Sequence, residues 1–272
     1  MRLTSKCYYF LALVFICTSM LAGNPSTALA NEYSADKIPV IAYHEVLPFV
    51  NTSDASNPSV ISLAQFSQQM EYLYKNGYYT ASISELGEFV KGKKKLPPRT
   101  VVITFDDGYE SNYLYCYPYL LKYNFRASIF LMGKVPQEAR PHLSGFQIMS
   151  MIRSGLVEIG CHTYDLHREI DGKPALEVLP EPLIQADFAR LNLLLQRIGI
   201  RRVQAIAYPY GANSAAATGA ALSAGYRIGF TIDEGYVRPG DSIMALKRFN
   251  IGPDVDLNKF TEIITGTIRQ SP

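Results

Sequence analysis

The chain has 272 residues, with 26 basic against 24 acidic side chains and 48% hydrophobic residues, enough for one large domain or two small ones. So balanced a charge carries no footprint for nucleic acid or an anionic membrane, and four cysteines, two of them (Cys7, Cys17) inside an apolar leader, exclude a disulfide framework.

The leader comes first. Arg2 and Lys6 precede a mostly apolar stretch from Tyr8 to Leu21, and Ala28-Leu29-Ala30 is an A-x-A cleavage signal. Residues 1–30 therefore read as a signal peptide and 31–272 as the mature domain, secreted and without a membrane span after cleavage. A retained anchor is the alternative, although the apolar stretch is short for a span. Cys116 and Cys161 then remain, as buried small apolar groups rather than a redox pair. Lys93-Lys94-Lys95 is the only basic run and reads as a solvated loop.

Strand-like and helix-like segments alternate from there on. Ile38–Tyr43 reads as a strand. Ser62 with Gln65 forms a capping box whose helix runs to Asn76, with Gly77 as its stop. Ser82 with Glu85 forms a second box, ending near Gly92. A strand at Val101–Phe105, a helix at Ser111–Tyr123, a strand at Ala127–Leu131, a short helix at Gln147–Arg153 and a strand at Val157–Gly160 follow. A long helix, Leu183–Ile198, enters through Pro180 and Pro182 and ends at Gly199. Strands at Val203–Ala207, Ile228–Ile232 and Met244–Phe249, and a last helix capped by Asp256, complete the pattern. This alternation predicts a single-domain α/β fold, a distorted (β/α) barrel of about seven strands. An open doubly wound sheet is the runner-up. The irregular segments Pro48–Val60 and Gly133–Ser144 are rim loops or plain surface connections.

Both architectures place function at the carboxyl ends of strands, where the polar clusters lie. Thr104-Phe105-Asp106-Asp107-Gly108-Tyr109 ends the Val101 strand with two adjacent carboxylates. A bound cation would relieve their repulsion. Cys161-His162-Thr163-Tyr164-Asp165-Leu166-His167 follows the Val157 strand. Histidines five apart do not share a helix face, so they need a loop. Two imidazoles and one carboxylate make a three-ligand set for a divalent ion, zinc first and nickel, cobalt or iron as alternatives, with a fourth position left for water. Either Asp106 or Asp107 is the third ligand, leaving the other free as a base.

These stretches resemble the polysaccharide deacetylases that share the NodB homology domain (carbohydrate esterase family 4). Thr104–Tyr109 resembles the first family motif, His162-Thr163 to His167 the second, and Ala207-Tyr208-Pro209-Tyr210-Gly211 the third. The five-residue histidine spacing resembles the branch acting on poly-β-1,6-N-acetylglucosamine. The similarity runs from about Ile38 to Gly266. It implies Asp106 as general base and Asp107, His162 and His167 as metal ligands. It also implies a backbone N–H of Tyr210 on the oxyanion, and Pro209, with Tyr208, at the acetyl pocket.

The general acid is a histidine by chemistry, and none follows His167, which leaves His44 and His142. His44 ends the Ile38 strand, on the rim of the metal site, and Ala42-Tyr43-His44 resembles the permuted order of the β-1,6 branch. His44 is therefore preferred and His142 is the alternative. Two departures stand out. Ala207 occupies the place of the third motif's base-orienting arginine, for which Arg248 or Lys247 can substitute, and there is no tryptophan for a fourth motif. Asp233 and Glu234 can orient His44 or simply solvate a loop. The implied function is a secreted, metal-dependent N-deacetylase of an N-acetylglucosamine polymer. Peptidoglycan, chitin-type glycans and acetylated xylan are alternative substrates. The rival classes are a carbohydrate-binding protein on an inactive scaffold and a structural metal domain.

Overall fold

The computed structural model describes residues 34–135, 140–201 and 203–268; the proposed leader lies outside them. The strands in chain order are β1 (Ile38–Tyr43), β2 (Glu45–Leu47), β3 (Val60–Ser62), β4 (Tyr79–Thr80), β5 (Thr100–Phe105), β6 (Ala127–Leu131), β7 (Val157–Cys161), β8 (Glu169–Ile170), β9 (Lys173–Pro174), β10 (Ala205–Ala207), β11 (Ile228–Phe230), β12 (Tyr236–Val237) and β13 (Phe249–Asn250). The main sheet runs β11-β10-β7-β6-β5-β1-β12, with β13 also paired to β1 and β4 to β5. All its pairings are parallel except β1 with β12. The sheet curls into the predicted distorted barrel.

Period-two alternation sorts the side chains. Val40, Val102, Phe130, Ala205, Ala207 and Phe230 face an inner core, which helix Ile83–Val90 plugs with Ile83, Leu86, Phe89 and Val90. Each Val, Ile, Leu or Phe side chain among them contributes about 1.5–3 kcal/mol on burial. Ile41, Ile103, Phe105, Ile129, Leu131 and Ile206 face an outer core shared with the surrounding helices. Gly160 has a packing reason: a Cβ there would run into the Phe130 ring.

Two predicted elements differ in detail. Helix Ser111–Tyr123 begins as a π-turn, Asn112–Cys116, in which Tyr117 N bonds Asn112 O. Pro118 lacks the N–H that an α-helical turn would direct at Leu114. The predicted strand Met244–Phe249 is split. Leu246 exchanges backbone bonds with Gly229 and Thr231 beside β11, while Phe249 and Asn250 pair with β1. Lys247 and Arg248 form the bend between them. Two-residue strands, such as the β8–β9 hairpin around Asp171-Gly172, are too short for periodicity to reveal. One side chain links the described parts of the two irregular segments. Arg140 Nη1 lies 3.2 Å from Glu45 Oε2 and Arg140 Nη2 bonds Asp54, which ties the Gly133–Ser144 segment to Pro48–Val60. Among the described residues no helix is long and apolar enough to cross a membrane.

Candidate metal centre and active site

Alternation carries three candidate residues inward. On β1 the inner positions Val40 and Ala42 are followed by His44. On β5, Val102 and Thr104 are followed by Asp106. On β7, Gly160 is followed by His162. Thr104 pairs with Ala42, and Asp106 N extends that ladder to Tyr43 O at 2.9 Å. His44 Nε2 lies 4.0 Å from Asp106 Oδ2.

Asp107, His162 and His167 offer ligand atoms that all lie within 4.8 Å of one another. His162 Nε2 is 3.3 Å, and His167 Nδ1 3.9 Å, from Asp107 Oδ1. This donor set fits a small divalent ion. Asp107 Oδ1 is buried without a hydrogen bond of good geometry, and such an orphan is costly unless a cation or proton meets it. His162 Nδ1 donates to Ala207 O at 2.8 Å, which fixes the tautomer and leaves Nε2 free to ligate. Burial raises Asp107's carboxyl, but the close His162 imidazole outweighs it and holds the group well below the usual carboxylate range. Burial, together with His162, pushes His167 down to about 4. His167 is therefore neutral, as a ligand must be. For His162 burial acts downward, but the adjacent Asp107 carboxylate prevails and its pKa is raised.

Asp107, Thr163 and Tyr210 have φ of 69°, 71° and 58°. Left-handed geometry costs a non-glycine residue about 1–2 kcal/mol. All three follow strand ends at this site. The loop between the histidines is held by Asp187, whose carboxylate accepts the N–H groups of Tyr164 at 2.7 Å and Asp165 at 2.8 Å. Asp187 escapes a motif reading. Its signal is an acid on the buried stripe Ile184, Phe188, Leu191, Leu195 of helix Glu181–Arg197.

Of the two candidates for the missing arginine, the structure brings Arg248 to Asp106. Its Nη1 donates to Asp106 Oδ1 at 2.8 Å, its Nη2 to Oδ2 at 2.7 Å and its Nε to Thr231 O at 3.0 Å. The guanidinium lies 5.9 Å from the Phe130 ring and 5.7 Å from that of Phe230. Arg248 is 2% exposed and Asp106 likewise. Burial acts to raise the Asp106 pKa, but Arg248 and His162 outweigh it, and the net shift is downward.

The remaining candidates are placed less uniformly. Tyr210 stacks on His167 at 4.9 Å and 15°, and Pro209 is buried in the same turn. Tyr208 is fully buried, its ring against Gly229, so its side chain is not brought to the site with the others. Asp233 and Glu234 are exposed, and His44 Nδ1 has no hydrogen-bond partner; neither acid orients it. Instead Asn112 Nδ2 anchors the His44 carbonyl at 2.8 Å. Burial lowers the pKa of His44 in spite of Asp106 and Asp107. His142 donates from Nδ1 to Arg140 O at 2.7 Å, and its ring packs against that of Tyr109 with centroids 4.7 Å apart and a tilt of 36°.

Residues 93–229 match the family model described as polysaccharide deacetylase. A poly-β-1,6-N-acetyl-D-glucosamine N-deacetylase of Staphylococcus aureus (strain MSSA476) is 32% identical over 213 residues, covering 76% of this chain and 72% of that protein. The structure of IcaB from Ammonifex degensii superimposes with a TM-score of 0.75 at 31% identity, covering 85% of this chain and 98% of the other. A de-N-acetylase from Aggregatibacter actinomycetemcomitans gives 0.72 at 25% identity, over 84% and 100% of the two chains.

Proposed function

Because the chain belongs to the polysaccharide deacetylase family, we propose that it is a secreted, metal-dependent N-deacetylase of poly-β-1,6-N-acetylglucosamine. One observation carries the reading. A three-donor cluster and a separate, arginine-bound carboxylate meet at adjacent strand ends, with an imidazole 4.0 Å from that carboxylate. A closed structural site would instead fill all four positions with protein donors. The choice of the β-1,6 polymer draws on the similarity to the S. aureus enzyme, and secretion on the leader-like residues 1–30.

Asp107, His162 and His167 would hold the ion. When bound, a divalent cation polarises the acetyl carbonyl and makes a water acidic enough to attack near neutral pH. The protein does the rest. Asp106, fixed by Arg248, takes a proton from the attacking water as the new C–O bond forms. The Tyr210 N–H donates to the oxygen that gains charge. His44 gives a proton to the departing nitrogen as the C–N bond breaks, so acetate and a free amine result. Pro209 and the Tyr210 turn wall the acetyl group.

Acetate release from defined β-1,6 and β-1,4 N-acetylglucosamine oligomers, with and without chelator, tests this. Release from the β-1,6 series that stops on chelation and returns with added zinc is expected. Undiminished release in chelator overturns the mechanism, and turnover of the β-1,4 series alone overturns the substrate.

A further inference from the structure

A groove of about 430 Å³ lies at the opposite end of the barrel, where β4, β5 and β6 begin. Its walls are the end of helix Leu63–Lys75, the Gly77–Thr80 segment and the Tyr123–Arg126 link into β6. Five of the lining side chains are aromatic: Tyr74, Tyr78, Tyr79, Tyr123 and Phe125. The rest are glycine, threonine, asparagine and arginine, with no Val, Leu, Ile or Met among them. A lipid tail or an apolar peptide helix meets branched aliphatic or Met-rich walls. Rings interleaved with amide, hydroxyl and guanidinium groups suit a pyranose, whose flat C–H faces are ringed by hydroxyls. Tyr74 stacks on Tyr123 with centroids 4.7 Å apart at 27° and is still 57% exposed, so its outer face is open. Asn124, beside it, ends helix Tyr117–Tyr123 in left-handed geometry, and its side chain is exposed.

The charge around the groove narrows the class of sugar. Lys122 Nζ sits 4.9 Å from the Tyr123 centroid and Arg126 forms one wall. Glu85, the acid bonded to Arg126 at 3.1 Å, is shared with Lys94 at 2.6 Å. Such a rim tolerates a neutral glycan and repels one bearing free ammonium groups.

We propose that this groove is a second glycan-binding site, selective for the acetylated polymer over its deacetylated product. The choice of sugar rests on the N-deacetylase reading; the groove rests on its own lining. β5 spans about 17–20 Å between the two ends of the barrel. Only a long chain reaches both sites, and the second contact then acts through effective concentration.

Two measurements on the full chain test this. In kinetics, Tyr74→Ala raises KM for long acetylated polymer about fivefold, the effect of one aromatic contact of about 1 kcal/mol. It leaves kcat and short-oligomer kinetics unchanged, and Tyr74→Trp restores KM. Asn124→Gly, which keeps the backbone geometry, moves KM the same way. In affinity electrophoresis, the Asp106→Asn chain is retarded by acetylated β-1,6 polymer and less by the same polymer after chemical deacetylation. Adding Tyr74→Ala weakens that retardation about fivefold. Equal retardation with and without Tyr74→Ala, or an equal KM rise on short oligomers, overturns the proposal. If no glycan releases acetate, the deacetylase reading fails while the electrophoresis still decides the groove.

Discussion

Arg248→Met tests the least conventional feature of the site. Arg248 and Asp106 form a buried pair with two charge-assisted hydrogen bonds of 2.8 and 2.7 Å, and both residues are 2% exposed. Removing the arginine leaves a buried carboxylate without its partner, a change that costs about 3–5 kcal/mol. Asp106→Asn strands the guanidinium instead and costs a similar amount. The double variant removes both charges and recovers part of each loss. Urea denaturation of the four proteins should therefore give a coupling energy of about 2 kcal/mol or more. Activity carries a second signature. Arg248 is the chief influence opposing burial at Asp106, so its loss raises the pKa of the proposed base. The acid limb of the kcat/KM profile then moves to higher pH, because the base must be ionised to work. Stability follows the same sign. A depressed carboxyl contributes above its unfolded pKa and loses that contribution as pH falls, so Arg248→Met should flatten the acid side of the stability curve. Arg248→Lys keeps the charge and loses the fork; kcat should fall by about tenfold or more with a smaller pH shift. Additive stabilities together with an unmoved acid limb would refute the coupling.

Three further outcomes are expected. Asp187→Ala leaves the Tyr164 and Asp165 N–H groups without their acceptor; zinc affinity by calorimetry should fall about 10–100-fold, and an unchanged affinity would remove Asp187 from the support of the loop. His44→Ala should lower kcat by about 10²-fold or more with metal content by atomic absorption unchanged, and full activity would move the acid role to His142. Burial acts to raise the carboxyl of Glu85, but the hydrogen bonds that it accepts from Lys94, Ser82 and Tyr79 outweigh it and bring its pKa down to about 2. Against an unfolded value of about 4.3, its contribution is present above that value and lost as pH falls toward 2. Allowing for solvent screening, Glu85→Gln should cost about 1 kcal/mol at pH 7 and much less at pH 3, as read from paired denaturant titrations.

Much of this site is legible in alternation alone. Once β1, β5 and β7 are recognised as strands, counting by two places His44, Asp106 and His162 on the inner face. The same count from Leu246 places Arg248 there, provided the broken strand is recognised. What alternation cannot reach is Asp107. Successive side chains on an extended chain point to opposite faces, so a base and a metal ligand adjacent in sequence ought to diverge. They converge because Asp107 is left-handed, at φ 69°, and is followed by Gly108 at φ 78°, a position where a Cβ would collide with Leu131. Thr163, at φ 71°, turns the chain in the same way after His162, and Thr163 Oγ1 accepts from Leu166 N at 3.2 Å to close the loop toward His167. Local propensity opposes both turns. They persist because their surroundings over-determine them: the Asp187 carboxylate on one loop, the Gly108 fit against β6 on the other. The strain and the ligand geometry therefore have one cause, and relaxing either turn should loosen metal binding before it loosens the fold.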